Sequence, residues 1–177
     1  MLDIIPMLAL VFCAGLTVKA VDWIDDERKG KNQLKWPLAV LYGALVGYLV
    51  SQSLVAMLLL GALFAQVFAR KIDTHTHVLG FAIAMFLPFA LGFPQFEPLL
   101  FVFFALLAFI DEMEFVGRLG WATEHRVFLI LGSALVVPFV GFSYLVAILA
   151  FDIGYLLFWW VAKRLVTDKP AAKRRGR

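Results

Sequence analysis

The sequence predicts an all-α, polytopic membrane bundle of about seven helices, and three observations predict it. Hydrophobic residues fill 63% of the 177 positions and charged ones only 16%, with a mean hydropathy of +0.89, far from the balance of a soluble domain. Apolar runs extend from Leu2 almost to Val166, separated only by short polar patches. Those patches alternate between patches rich in lysine and arginine and patches without either, as in a chain that crosses a bilayer repeatedly.

About 20 apolar residues cross the bilayer core, and shorter helices can do so when closely packed. Spans are expected near 2–21, 36–52, 54–71, 76–93, 97–113, 127–142 and 144–164. The first, LDIIPMLALVFCAGLTV, has neither the basic start nor the small-residue cleavage site of a secretory signal, so it reads as a retained helix. Its Cys13 is expected to be a small buried apolar residue, and a single cysteine excludes an internal disulfide. The second and third spans share one apolar block broken at Ser51–Ser53, which predicts a helical hairpin. Gly43 and Gly47 form a G-x-x-x-G in the second span, expected to serve packing within the chain. Pro94 and Pro98 bracket the turn between the fourth and fifth, where each removes a backbone donor. The last two spans share a block broken near Gly141–Ser143. Asp152 lies near the middle of the last one, and an ionisable residue at that depth faces a cavity or a partner. Lining a chamber and bonding a neighbouring helix are both open to it. One transmembrane domain, 1–166, is followed by a basic tail, 167–177, expected to meet anionic headgroups rather than nucleic acid.

Topology follows from the cations. Lys19, Arg28, Lys29, Lys31 and Lys35 flank the first polar patch, Arg70 and Lys71 the second, Arg118 and Arg126 the third, and the tail is basic. The turns at 51–53, 93–97 and 141–143 have no lysine or arginine. All basic patches then share one side, which requires an odd number of spans, an outside N-terminus and a cytoplasmic C-terminus in the cell membrane.

The same patches are acidic as well. Asp22, Asp25 and Asp26 have the i, i+3, i+4 spacing that places carboxylates on one face at a helix end, and Asp111 with Glu114, beside Glu112, repeats the i, i+3 spacing. Like charges so close repel unless a cation lies between them, and hard oxygen ligands in small number suit Mg²⁺ completed by a substrate phosphate. His75 and His77 alternate, a poor spacing for one helix face, and are expected to be interfacial polar residues rather than zinc ligands.

These residues resemble the UbiA-type intramembrane prenyltransferases. The first patch, KAVDWIDDERKGKN, is similar to that family's N-D-x-x-D-x-x-x-D motif, with Asp22 and Asp25 on the first two aspartates and Asn32 in keeping with it. Val21 replaces the asparagine, and Lys29 holds the register of the third aspartate unless Asp26 substitutes. The second patch, RKIDTHTHVLGFAIAM, is similar to the K-R-x-T-H stretch followed by V-L-G, matching at Arg70, Lys71, Thr76, His77 and Val78 to Gly80. The third, FIDEMEFVGRLG, takes the place of D-x-x-x-D with Asp111, Glu112 and Glu114. The chain would correspond to the second to eighth of the nine helices usual in the family.

The resemblance implies a helical barrel open to lipid with a polar cytoplasmic cap. It implies Mg²⁺ on Asp22, Asp25, Asp26, Asp111, Glu112 and Glu114, and a prenyl diphosphate held by Lys19, Arg70, Lys71, His77 and Arg118. Arg70, Lys71 and Asp152 would act in transfer of the prenyl group to a lipophilic acceptor. Two other functions stay open, a UbiA-like membrane protein without catalysis and a cation-handling transporter. Charged pathways place several ionisable groups through the bilayer, and only Asp152 is deep here, which favours the enzyme.

Overall fold

The computed structural model describes residues 3–27, 32–52, 54–93, 95–113 and 115–167. Among them the chain is all-helical: α1 (Ile4–Glu27), α2 (Lys35–Ser51), α3 (Ala56–Phe68), α4 (His75–Leu91), α5 (Pro98–Glu112), α6 (Arg118–Glu124), α7 (Val127–Leu135), α8 (Val137–Val140) and α9 (Ser143–Thr167). The basic tail from 168 onward lies outside the described residues.

Five of the seven expected spans are single helices close to their expected limits, and two expectations need correction. The first helix does not stop near residue 21 but continues through the charged stretch to Glu27, because the carboxylates there find partners on neighbouring helices. The sixth, expected as one helix over 127–142, breaks at Val136 into α7 and α8, where Pro138 in the first turn of α8 cannot continue the backbone ladder. Ahead of it α6 forms in a stretch expected to be loop, entered at Gly117 with φ of 71°. Elsewhere the local signals act as usual. Pro98 opens α5, and the Thr74 hydroxyl accepts from the His77 amide to cap α4.

The packing closes a cycle: α1 on α2, α2 on α3, α3 on α5, α5 on α7, α7 on α9, and α9 back on α1, with α4 attached to α2. α3 is the most enclosed helix, with Met57, Leu58, Leu59, Leu60 and Leu63 all buried. It shares the main core with Met7 and Val11 of α1, Phe104 of α5 and Ile148 of α9. Small residues set the close contacts, as they do where packing rather than water exclusion joins helices. A Cβ on Gly15 would run into the Phe151 carbonyl, and one on Gly154 into the Phe12 carbonyl, so α1 and α9 touch backbone to backbone at two reciprocal points. Gly43 and Gly47 face Gly80, Ala84 and Leu87 of α4, packing within the chain. Cys13 is not buried as expected but exposed, because the inward face of α1 belongs to Met7, Val11 and Ala14.

Among the described residues two helices are long and apolar enough to cross a membrane, Ile4–Asp26 and Ser143–Arg164. α2 and α4, at 17 residues, and α3, at 13, are apolar but short; at 1.5 Å per residue the longest reaches about 26 Å, against a hydrocarbon core of about 30 Å. Outward faces carry Phe86, Phe89, Leu99, Leu131 and Phe139, all well exposed, and apolar surface of this extent marks a membrane or protein contact.

Charge and tryptophan gather at one end. The last turns of α1 and α5 meet the first turns of α2, α4 and α7 there through hydrogen bonds. All five tryptophans, Trp23, Trp36, Trp121, Trp159 and Trp160, lie on segments at this end. At the other end the amide of Glu97 meets the Met57 sulfur, in turns with no lysine or arginine.

Candidate functional site

The last turns of α1 present Asp22 and Asp25 one helical turn apart. Asp25 accepts from Lys35 Nζ of α2 at 2.9 Å, from Thr74 at 3.2 Å, and from Thr76 of α4 through a short bond. Asp22 faces His77 Nε2 at 3.1 Å through one oxygen and accepts from the Tyr155 hydroxyl of α9 at 3.1 Å through the other. Lys19 completes the group: its Nζ donates to the Tyr155 oxygen at 3.1 Å and lies 4.6 Å from the ring centre. Tyr42 holds His77 from α2 by donating to its carbonyl at 3.2 Å. Lys19, Asp22, Asp25 and His77, expected together from the sequence, are therefore one cluster, while Asp26 points outward and is exposed.

Asp111 stands elsewhere. It is 9% exposed at the end of α5, and its two oxygens accept from the Phe128 and Leu129 amides at 3.2 and 2.7 Å. Those are orphan donors of the first turn of α7, so Asp111 caps a helix to which it is not joined in sequence.

Arg126 links the two regions. Its backbone is left-handed, with φ of 49°, immediately before α7. The guanidinium lies 2.6 Å from Asp152 Oδ1 and 5.0 Å from the ring centres of both Phe151 and Tyr155. Burial opposes its charge, but the Asp152 carboxylate raises its pKa above the ordinary arginine value, so it stays protonated. Asp152 thus serves an ion pair; its second oxygen is buried and has no hydrogen-bond partner among the described residues.

Beside this belt lies a small cavity of about 60 Å³, open at its mouth. Leu58, Leu59, Ala108, Leu129 and Ile148 make its apolar walls, and Gln66, Asp111, Glu112 and Arg126 its polar lining. Glu112 also borders an open groove with Arg70, Lys71, Asp73, Phe109 and Met113. Among the described residues, neither this cavity nor this groove is lined by Asp22 or Asp25, and Tyr155 with Arg126 stands between the two acidic regions. Glu114 lies outside the described residues, as does the side chain of Arg118 at the start of α6.

Among the described residues no three His, Cys, Asp or Glu side chains converge as a ready cage for a metal ion. The donor chemistry nonetheless suits Mg²⁺, whose shell is commonly finished by water and phosphate. Asp111 and Glu112 face the cavity, whereas the oxygens of Asp22 and Asp25 are engaged by side chains.

Sequence reading missed Tyr155, Tyr42, Thr74, Gln66 and the inward role of Arg126. Tyr155 could have been found: it follows Asp152 by three residues, on the same helical face. Arg126 was hidden by its other use as a marker of sidedness. No family model, no curated protein and no solved structure matches this chain.

Proposed function

We propose that the protein is an intramembrane prenyltransferase of UbiA-like type. It would sit in the cell membrane as a seven-span bundle, with its N-terminus outside and its polar end and C-terminus in the cytoplasm. The observation that carries this reading is the cavity, whose apolar walls meet a lining of Gln66, Asp111, Glu112 and Arg126 and adjoin the groove of Arg70 and Lys71. That lining, apolar walls beside polar and charged groups, suits an amphiphile with an isoprenoid tail and an anionic head.

The tail would lie along Leu58, Leu59 and Ile148, and the diphosphate between Arg126 and the Arg70–Lys71 groove. Arginine can grip phosphate oxygens in a fork, and lysine acts as a point charge. Asp111 and Glu112 would hold one Mg²⁺, and Asp22 and Asp25, released from their partners, a second; the metal charge would serve to neutralise the departing diphosphate. The allylic C–O bond breaks, diphosphate leaves with the electron pair, and the acceptor forms the new C–C or C–heteroatom bond and loses a proton. Phe151, at the cavity wall, offers an aromatic face to the carbocation, and the apolar walls keep water from it.

One observation favours a second reading, a UbiA-like membrane protein that binds the amphiphile without transfer: Asp22 and Asp25 are already satisfied by Lys35, Thr76, His77 and Tyr155. A cation transporter gains less support, because the deep carboxylate of Asp152 is neutralised by Arg126. Purified protein incubated with Mg²⁺ and radiolabelled geranylgeranyl diphosphate distinguishes these. Enzyme activity predicts diphosphate release, and Arg70→Gln should weaken binding by roughly 1.5–3 kcal/mol, the worth of a charge-assisted hydrogen bond. Saturable binding without release would select the second reading, and no binding at several chain lengths would end both.

A further inference from the structure

The stretch from Phe115 to Trp121 is too short to span a bilayer, yet it holds apolar side chains out of the fold. Val116 is 94% exposed, and Phe115, Leu119 and Trp121 are also exposed. The stretch is not a loose turn. Gly117 takes the left-handed φ of 71° that lets the chain reverse, and Gly120 approaches the Phe115 carbonyl so closely that a Cβ there would collide with it. Trp121 stacks on His125 at 4.9 Å. A shaped, outward display of apolar residues needs a partner.

Its surroundings say which. The segment lies at the end that holds all five tryptophans. There Lys163 lies 4.8 Å from the Trp159 ring centre and Arg164 3.5 Å from that of Trp160, on the outer face of the long helix α9. Tryptophan bodies with cationic tips are the composition of a protein surface at the bilayer's headgroup level, where the ring sits among carbonyls and the charge meets anionic lipid. Met113, two residues before the segment in sequence, lines the groove of Arg70 and Lys71.

We infer that residues 115–121 form an in-plane foot, with Phe115, Val116, Leu119 and Trp121 set into the headgroup boundary of the leaflet that surrounds the polar end. Anionic lipid is the occupant of this surface. The inference rests on the membrane reading of the bundle, and its test separates the two.

Nitroxide labels are placed one at a time at Val116→Cys, Ile153→Cys and His75→Cys in full-length protein carrying Cys13→Ser. Ile153 is exposed on the long helix α9, and His75 is exposed at the polar end outside the foot. The protein is reconstituted into vesicles of phosphatidylcholine and phosphatidylglycerol, and each label's access to oxygen and to a water-soluble nickel chelate is measured. The expected order of the oxygen-to-nickel ratio is Ile153 highest, Val116 intermediate and at least several-fold above His75, with Val116 rising as phosphatidylglycerol increases. A Val116 label as open to nickel as His75, with Ile153 in lipid, overturns the foot and leaves the bundle in the membrane. An Ile153 label open to nickel overturns the membrane reading itself. A Val116 label shielded from both reagents means that a second copy covers the segment, and overturns the inference as well.

Discussion

The two acidic regions both pair carboxylates at i, i+3 in sequence, Asp22 with Asp25 and Asp111 with Glu114, yet Asp22 and Asp25 do different work from Asp111. At the end of α1, Asp22 and Asp25 are held by side chains from three other helices, Lys35 from α2, Thr76 and His77 from α4, and Tyr155 from α9. At the end of α5, Asp111 is held by two backbone amides of a single helix and keeps a face on the cavity with Glu112. The first region is a clamp among helices; the second is a cap that leaves the carboxylate beside open space. Spacing alone places carboxylates on one face, but the donors that other helices bring decide whether they are fastened or available.

The largest expected effect breaks the clamp. Asp25→Ala removes the acceptor of three donors and leaves Lys35, whose side chain is 17% exposed, as an uncompensated charge. Breaking a largely buried pair from one side costs about 3 kcal/mol or more. The variant should unfold earlier than the parent in a thermal or denaturing-detergent titration and lose ligand binding with the fold. Unchanged stability would mean that the clamp fastens nothing.

A smaller effect should follow at the cap, and its pattern sharpens the contrast. Asp111→Ala leaves the amides of Phe128 and Leu129 without their acceptor, a loss of about 1–2 kcal/mol for a helix cap. Asp111→Asn keeps one acceptor oxygen and should cost less than the alanine variant in the same titration, while removing the charge offered to Mg²⁺. Binding of a prenyl diphosphate should therefore fall in Asp111→Asn well before stability does. If binding and stability fell together in this variant, as they should in Asp25→Ala, Asp111 would be a clamp too.

Much of this architecture is legible in the sequence because it depends on periodicity in one dimension. Apolar runs and their breaks give five helices nearly at their observed limits, and the placement of lysine and arginine foretells which turns share the polar end. Pair partners are less legible. Nothing near Asp25 in sequence announces Thr76, which reaches it only because Gly43, Gly47 and Gly80 let α2 and α4 come close. Arg126 looked like a topological marker because sidedness and ion pairing use the same residue type, and the left-handed backbone that aims it has no signature in a residue other than glycine. The break at Val136 was missed for a plainer reason: hydropathy passes through Pro138 without a dip, while the hydrogen-bond ladder cannot.

The smallest effect tests the link between the two regions. Tyr155 donates to Asp22, accepts from Lys19, and lays its ring against Arg126. Tyr155→Phe keeps the ring and so keeps Arg126 stacked, but it takes away the hydroxyl that joins α9 to α1. The loss should be about 1 kcal/mol, the net worth of the bond to Asp22, because His77 still holds the other oxygen of Asp22 and Lys19, which gives up its bond to the hydroxyl, stays over the ring. Tyr155→Leu removes the aromatic face as well and should cost roughly 0.5–2 kcal/mol more, the range for a cation over a ring. A phenylalanine variant as unstable as the leucine variant would place the whole contribution in the hydroxyl, and Arg126 would then be held by Asp152 and Phe151 without help from the α1 clamp.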